Sequence, residues 1–447
     1  MAYYSGFRGS TGYPRGQSNR PNPRERDAST LPPDRDLKEG LIPTALQTLS
    51  KPTEVARTPQ SGTLIQPERL KYIGSYNWVD EAMPTIIVPG SPPVWREREL
   101  PYRVPYDIGV RMVDQNGFRM GPDASCLLPL LRAVDIVAEE NADTSLDWAA
   151  ADFVTDRNGL RKLMRWLGHS GTEWDAPLKE FRIDLQLGGA KTVLMHRFEK
   201  RTREIAVPPK GGCGISFERE STSPASGCGR STGHHRIVQY ELDGLKMVVR
   251  FEVDACTAQP TPAPVRSPAR ATRSRTSNDA LPSVDSLADA LGGLDVSSRP
   301  TPFHNASGAP TIAVIRAGSQ VPQSAIVELV TRSQNYVDQF DWAEQYPQLL
   351  LSYTPHLFLG VHDRGTFNRM KKHALGSAEL RSVETDPKIQ RAFRQLVAIL
   401  RTIQDLVKSH GQRGRLTLLC QDGVLRVYKR TSNAGCLPED ELVRFGI

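Results

Sequence analysis

The 447-residue chain lacks most features that would mark a secreted, membrane or zinc protein. Its six cysteines, Cys126, Cys213, Cys228, Cys256, Cys420 and Cys436, are scattered without a Cys-x-x-Cys pair. This argues against a zinc site or a disulfide framework and suits a reducing compartment. No apolar run approaches the ~20 residues needed to span a bilayer, and the first residues carry no apolar export segment. The expectation is a soluble protein of nucleus or cytoplasm with no membrane partner. The nine histidines form no His-Glu-x-x-His, and His234-His235 opens a strand, so a zinc hydrolase is disfavoured. No two aspartates are adjacent, which removes the Asp-rich motifs of diphosphate synthases. Gly211-Gly212-Cys213-Gly214 lacks the lysine and following helix of a P-loop and reads as a turn.

What is present divides unevenly along the chain. Residues 1–60 are rich in Arg, Gly, Ser and Pro with few aliphatics and read as a disordered tail. Within it, Phe7-Arg8-Gly9 and Tyr13-Pro14-Arg15-Gly16 resemble Arg-Gly elements that bind RNA weakly. A second stretch, 257–322, is loaded with Pro, Ala, Ser and Thr and reads as a disordered insertion, with a brief helix over 284–294. The remaining blocks, 61–256 and 323–432, with a tail over 433–447, leave roughly 320 residues, enough for one large core or two small ones. The net charge of +7 suits a polyanionic partner without requiring one.

The ordered blocks predict an α+β fold with mixed, largely antiparallel sheets and flanking helices. Strands are expected over 72–76, 85–88, 102–113, 181–187, 191–198, 214–218, 235–242, 245–254, 325–331 and 357–361. Asn116-Gly117 marks a turn, and Asp243-Gly244 and Asp422-Gly423 mark two-residue hairpins. Ile389, Phe393, Leu396, Val397, Leu400, Ile403 and Val407 form an apolar stripe at helical spacing, ended by Gly411.

Two segments place carboxylates inside β-branched runs: Val248-Val249-Arg250-Phe251-Glu252-Val253-Asp254 and Ala325-Ile326-Val327-Glu328-Leu329-Val330. A charge in a buried strand is costly unless paired. Alternation along a strand points Glu252 and Asp254 to one side, offering two carboxylates to one cation. Mg²⁺ and Mn²⁺ favour such ligands, and phosphodiester hydrolysis commonly uses a metal pair. A Glu-x-Asp on a strand is also frequent as a solvated face, so the motif alone leaves both readings open.

Several segments, in order, resemble the decapping nucleases of the DXO family, whose active site is similar to that of the PD-(D/E)XK nucleases. Asp152-Phe153-Val154-Thr155-Asp156-Arg157 is similar to that family's "DFVTWRG", and Gly214-Ile215-Ser216-Phe217-Glu218 to its "GYKFE". His235-Arg236 with Phe251-Glu252-Val253-Asp254 is similar to "HR…GEVD", and Val327-Glu328-Leu329-Val330-Thr331 to "VELKT". Gln348 falls where the family has an active-site glutamine. The resemblance covers residues 60–430 outside the insertion. It implies a metal-dependent hydrolase acting on RNA 5′ ends: decapping, 5′ triphosphate hydrolysis or 5′-to-3′ exonuclease action, in RNA quality control. It implies Glu218, Glu252, Asp254 and Glu328 as ligands of two Mg²⁺ or Mn²⁺ ions, carried by three strands. Glu252, Asp254, Glu328 and Gln348 would be catalytic, and Arg157 and Gln348 would hold the RNA end. A 5′-to-3′ exoribonuclease is a candidate protein partner.

One departure stands at Val330, where the family has lysine two residues after the glutamate. That lysine would orient the attacking water and stabilise phosphate charge. Arg332, two positions further on the same strand face, is either a substitute phosphate contact or a solvated surface residue. The alternative reading of the whole chain is a catalytically inactive relative that binds RNA or a protein partner.

Overall fold

The aliphatic and β-branched runs assemble into two sheets in a computed structural model that describes residues 31–53, 64–121, 125–168, 178–209, 212–258, 300–304, 310–432 and 434–446. At the centre of the larger, twelve-stranded sheet, Thr192–Phe198, Phe153–Asp156, Leu245–Val253, Ser231–Leu242 and Pro67–Val79 lie side by side. Phe153–Asp156 runs parallel to both its neighbours, whereas the other central pairs are antiparallel. The fold is therefore α+β with mixed sheets, as the sequence predicts.

Leu245–Val253 shows how the sequence chooses faces. Met247, Val249, Phe251 and Val253 join the core formed with Leu160 and Leu163 of the helix Arg157–Gly168 and with Ile399 and Leu400 of the helix Pro387–His410. Val248 packs on the other side, in a core shared with Leu130, Leu131 and Val134 of the helix Leu128–Glu140. Arg250 lies on that side too, fully buried, and its Nε and Nη2 meet Asp156 Oδ1 and Oδ2 at 2.6 and 3.1 Å. Its Nη1 donates to the Tyr76 hydroxyl at 3.1 Å and the Cys126 carbonyl at 2.8 Å. A buried guanidinium tolerates loss of water only when it is paired in this way.

The smaller, seven-stranded sheet includes Ala255–Cys256, Ile326–Ser333, His356–Asp363 and Thr366–Ala374 in neighbouring positions. Only Asp254 separates Leu245–Val253 from Ala255–Cys256, so one extended segment passes from the large sheet into the small one. Ala255 pairs with Val327 and Cys256 with Ile326, which brings the Glu328 strand against the end of the Glu252 strand.

The predicted hairpins form, with both turn residues left-handed: Asp243 and Gly244 at φ 48° and 81°, Asp422 and Gly423 at 51° and 74°. The apolar stripe becomes the 24-residue helix Pro387–His410, N-capped by Asp386 and C-capped by Gly411. All six cysteines are buried, and among the described residues no helix is long and apolar enough to cross a membrane.

Several expectations are corrected. Asn116-Gly117 is not a turn but part of a short helix, Gln115–Met120, whose start is fixed by Asp114 accepting the Gly117 N–H. The single strand expected over 102–113 is broken, because Tyr102–Arg103 edges the small sheet while Gly109–Met112 pairs with Arg203–Ala206, and Gly109, the first residue of the second strand, has a positive φ of 82°. The strand expected over 214–218 is the helix Gly214–Ser221, so Gly212-Cys213-Gly214 does lead into a helix. Its first N–H groups, of Ile215 and Ser216, are taken by the buried Asp107 carboxylate at 3.1 and 2.8 Å, a cap supplied from far away in sequence.

The boundaries of the low-complexity segments also move. Residues 31–53 pack on the fold through buried Leu37, Leu41 and Leu49, and Gln47–Leu49 pairs with Val424–Lys429. Thr301–His304 and Pro310–Ala317 form the last two strands at one edge of the large sheet, burying Ile312 and Val314. Cys436, Leu437 and Phe445 anchor the last residues to a core. In each case a few well-spaced aliphatics outweigh a polar composition. The Arg-Gly elements of residues 1–30 and the helix expected over 284–294 lie outside the described residues.

The Arg250–Asp156 pair predicts a contrast in stability. Asp156→Ala should cost about 3–5 kcal/mol, because it leaves a buried charge unpaired. Arg401→Ala, which removes the exposed pair with Asp243 at 3.1 Å, should cost under about 1 kcal/mol. Urea unfolding of both variants checks this, and equal shifts in midpoint would show that the buried pair is not the stronger constraint.

Candidate active site

Three of the expected carboxylates gather where the two sheets meet. Glu252 is the next residue after Arg250 on the same side of its strand, paired in register with His235. Behind it, the buried His235 ring stacks on Tyr76 with centroids 5.1 Å apart. The Glu252 side chain reaches solvent at the floor of a cleft of about 290 Å³ that Glu218 and Asp254 also line. Close packing against it is visible at Gly233, where an added Cβ would stand 3.2 Å from Glu252 Oε1.

Asp254 occupies the one-residue crossing, and its Oδ2 accepts the Leu329 N–H at 2.8 Å. Glu328, buried on the strand Ile326–Ser333, has both oxygens engaged. Gln348 Nε2, from the helix Trp342–Ser352, donates to Oε1, and Arg157 Nη1 donates to Oε2 at 3.0 Å. Arg157 also reaches the Ser352 hydroxyl at 3.3 Å, and its guanidinium lies 5.7 Å from the Phe251 ring centroid. Glu218 approaches from the other side on the helix Gly214–Ser221 rather than from a strand, so the carboxylates come from two strands, a crossing residue and a helix.

The four groups lie close enough to influence one another's ionisation. Burial raises the Glu218 carboxyl from the usual 4.5 to about 8, reinforced by repulsion from Glu252, Glu328 and Asp107. Burial, then Glu328 and Glu218, lift Asp254 well above its ordinary range. Although its tip reaches solvent, Glu252 is also raised, by desolvation from the protein around it, against the opposing pull of Arg197 and Arg157. Among the described residues, Arg157 on Glu328 is the one ion pair made by any of the four, and no hydrogen bond holds the carboxylates of Glu218 or Glu252.

Crowded carboxylates with free oxygens and little compensating charge match the donor chemistry of a hard divalent cation. Their spacing is looser than a finished site: no group of three or more His, Cys, Asp or Glu side chains stands in ligating arrangement among the described residues. The residues thus fit such an ion in chemistry and charge, with side chains not yet gathered around one point.

Arg332 does not join them. It is half-buried with its guanidinium 5.7 Å from the Phe340 ring centroid, and its Nε has no hydrogen-bond partner. Val330 is half-buried against a cluster of Val337, Leu349, Leu357, Leu359 and Val361. Two supporting groups carry no signal in the sequence. Asp107 caps the Glu218 helix, and Arg197, paired with the buried Asp114 at 2.8 Å, pulls against the rise at Glu252. Their partners lie scores of residues away, so no local pattern marks either one.

The fold is similar to that of solved Rai1 and Dxo1 structures. Rai1 of Candida albicans, solved in complex with pU5-Mn²⁺, matches with a TM-score of 0.51 at 10% identity, over 90% of this chain and 96% of that one. Rai1 of S. pombe gives 0.49 at 13% identity over 82% and 96%, and K. lactis Dxo1 in complex with manganese gives 0.40 at 10% over 87% and 96%. No curated protein sequence matches. The chain belongs to the family described as "Domain of unknown function (DUF8563)", whose model matches residues 49–445.

The raised carboxyls predict a pH-dependent stability in the metal-free chain. A group whose folded value exceeds its unfolded one favours folding fully below the unfolded value and loses that contribution as pH climbs through the folded one. For Glu218 the window runs from 4.5 to about 8. The melting temperature in EDTA should therefore fall across that window, and Glu218→Gln should flatten the fall. An unchanged slope in the variant would show that Glu218 is not under this repulsion.

Proposed function

We propose that this protein is a divalent-cation-dependent hydrolase of RNA 5′ ends. The observation that carries the reading is the convergence of Glu218, Glu252, Asp254 and Glu328 with one guanidinium among them. The pU5 and Mn²⁺ named for the Candida structure point the same way. Glu218, Glu252, Asp254 and Glu328 would hold Mg²⁺ or Mn²⁺, as one ion or a pair. A bound ion of this type supplies Lewis-acid stabilisation of phosphoryl oxygens and a more acidic water. Gln348 and Arg157 donate to the two oxygens of Glu328, and Arg157 would meet a terminal phosphate. A role in RNA quality control in nucleus or cytoplasm, beside a 5′-to-3′ exoribonuclease, belongs to the same reading.

A second reading, an RNA-binding relative without turnover, is favoured by Val330. The side chain at the lysine position is packed among aliphatics, and Arg332 turns to Phe340 instead. Without an ammonium beside the carboxylates, one electrostatic contact to the transition state is missing, a loss of ~10²–10³ in rate.

The test is hydrolysis of 5′-labelled triphosphate, unmethylated-cap and NAD-capped RNAs with Mn²⁺. Turnover is expected to be slow, to vanish in EDTA and in a Glu252→Ala/Asp254→Ala double variant, and to rise in Val330→Lys, whose half-exposed position lets the ammonium reach the cleft. RNA bound but never cleaved, by either the native chain or Val330→Lys, would establish the second reading instead.

A further inference from the structure

Arg157, Arg161 and Arg165 recur at every fourth residue of the helix Arg157–Gly168 and so lie along one face. A rise of 1.5 Å per residue sets them about 6 Å apart along the axis. The first touches Glu328 of the carboxylate cleft. The other two share a single counter-ion, Glu344: Arg161 Nη2 and Arg165 Nη2 both donate to its Oε1, and Arg165 Nε reaches Oε1 and Oε2 at 2.9 and 3.1 Å. Two guanidiniums on one carboxylate leave positive charge uncompensated. Arg161 shows the strain of this, held down to about 10 by burial first and by repulsion from Arg165 next.

Beyond these arginines opens a groove of about 480 Å³. Its walls set the cations Arg161, Arg165 and Lys388 beside the apolar Met164, Pro347 and Ile389. Among the described residues its acidic groups are Glu344 and Asp341, and Asp341 is already engaged as a helix cap, accepting the Glu344 N–H at 3.1 Å. Cations spaced along a line with apolar surface beside them suit a phosphodiester strand, whose phosphates seek the charges and whose bases seek the apolar wall. An acidic peptide would use the charges but has no comparable claim on the apolar wall.

We propose that the groove of Arg161, Arg165 and Lys388 holds the single-stranded RNA trailing 3′ from an end bound at the carboxylates, with Glu344 as the counter-ion that the phosphates displace. This rests on the reading of the cleft as an RNA 5′-end site. Charge-assisted hydrogen bonds from a guanidinium fork to phosphate are strong enough to replace those to a carboxylate of similar geometry.

Fluorescence anisotropy of the full chain with 5′-phosphorylated oligouridylates of about three and about twelve nucleotides tests it, within the site sizes usual for single strands. Arg165→Ala and Lys388→Ala should each weaken the longer oligomer about tenfold at low salt and lower its log–log salt slope by ~0.7 for each phosphate no longer neutralised, with the shorter oligomer changed less than about twofold. Glu344→Gln should tighten the longer oligomer. Native binding of both oligomers that is indifferent to all three substitutions overturns the groove while leaving the 5′-end site standing. Failure of the native chain to bind either oligomer, with or without Mn²⁺, overturns both. Binding of a polyglutamate peptide that needs Arg165 and outcompetes the longer oligomer would assign the groove to an acidic protein instead.

Discussion

The bidentate pair between Arg250 and Asp156 is the constraint on which the site's geometry depends. Asp156 is the last residue of its strand, and Arg157 begins the helix that follows. Arg250 precedes Glu252 by two residues, on the same side of the neighbouring strand. The pair therefore fixes the relation of two elements whose next relevant side chains are Arg157 and Glu252. A fully buried guanidinium is an expensive choice for this purpose, since desolvation removes most of what the attraction returns. Its remaining donors are spent on Tyr76 and Cys126, and Tyr76 in turn stacks on His235 beside Glu252. The layer under the carboxylates is thus a directional polar network, which holds register more strictly than an apolar layer would.

The second determinant is the crossing at Asp254. A strand that leaves one sheet and enters another has a residue belonging to neither ladder, and its carboxylate is free to take the Leu329 N–H across the junction. That bond ties the Glu328 strand to the Glu252 strand where the sheets part. Asp107 then sets the Glu218 helix over the junction by capping its first N–H groups. Tertiary structure forces four acids together against their mutual repulsion, and Gln348 and Arg157 relieve it only at Glu328. Burial first, and that crowding after it, raise the Glu218 and Asp254 carboxyls.

How much of this is legible in the sequence depends on whether the determining interactions are local. The Asp243-Gly244 and Asp422-Gly423 turns carry their own backbone chemistry and form where the sequence places them. The Pro387–His410 helix declares its period, its cap and its stop. Glu252, Asp254 and Glu328 stand out because a charge interrupts an aliphatic run. The helix of Glu218 resembles a strand in sequence because its cap, Asp107, lies over a hundred residues earlier and its own sequence, Gly-Ile-Ser-Phe-Glu, favours neither state. The edge strand Pro310–Ala317 is hidden for a different reason: averaged with its Pro- and Ser-rich neighbours, its run of Ile312, Val314 and Ile315 does not register. Arg197 is invisible because only the fold brings it and Asp114 near Glu252.

Val330 shows why a neighbouring arginine does not restore what a lysine would supply. Successive same-face residues of a strand are about 6.6 Å apart, so Arg332 begins a full side-chain length further from Glu328 than position 330 does. Its guanidinium is directed to the Phe340 ring, where stacking and apolar surface suit a planar, weakly hydrated cation. Val330 itself contributes to the cluster of Leu349, Leu357 and Leu359. Packing half a valine is worth on the order of 1 kcal/mol, whereas a preorganised charge at a phosphoryl centre is worth about 3–4 kcal/mol to a transition state. On the proposed reading, the strand would give up the larger catalytic contribution for the smaller structural one. On the same reading it would still hold an anionic ligand, because the charge along the Arg157 helix belongs to different residues on a different element.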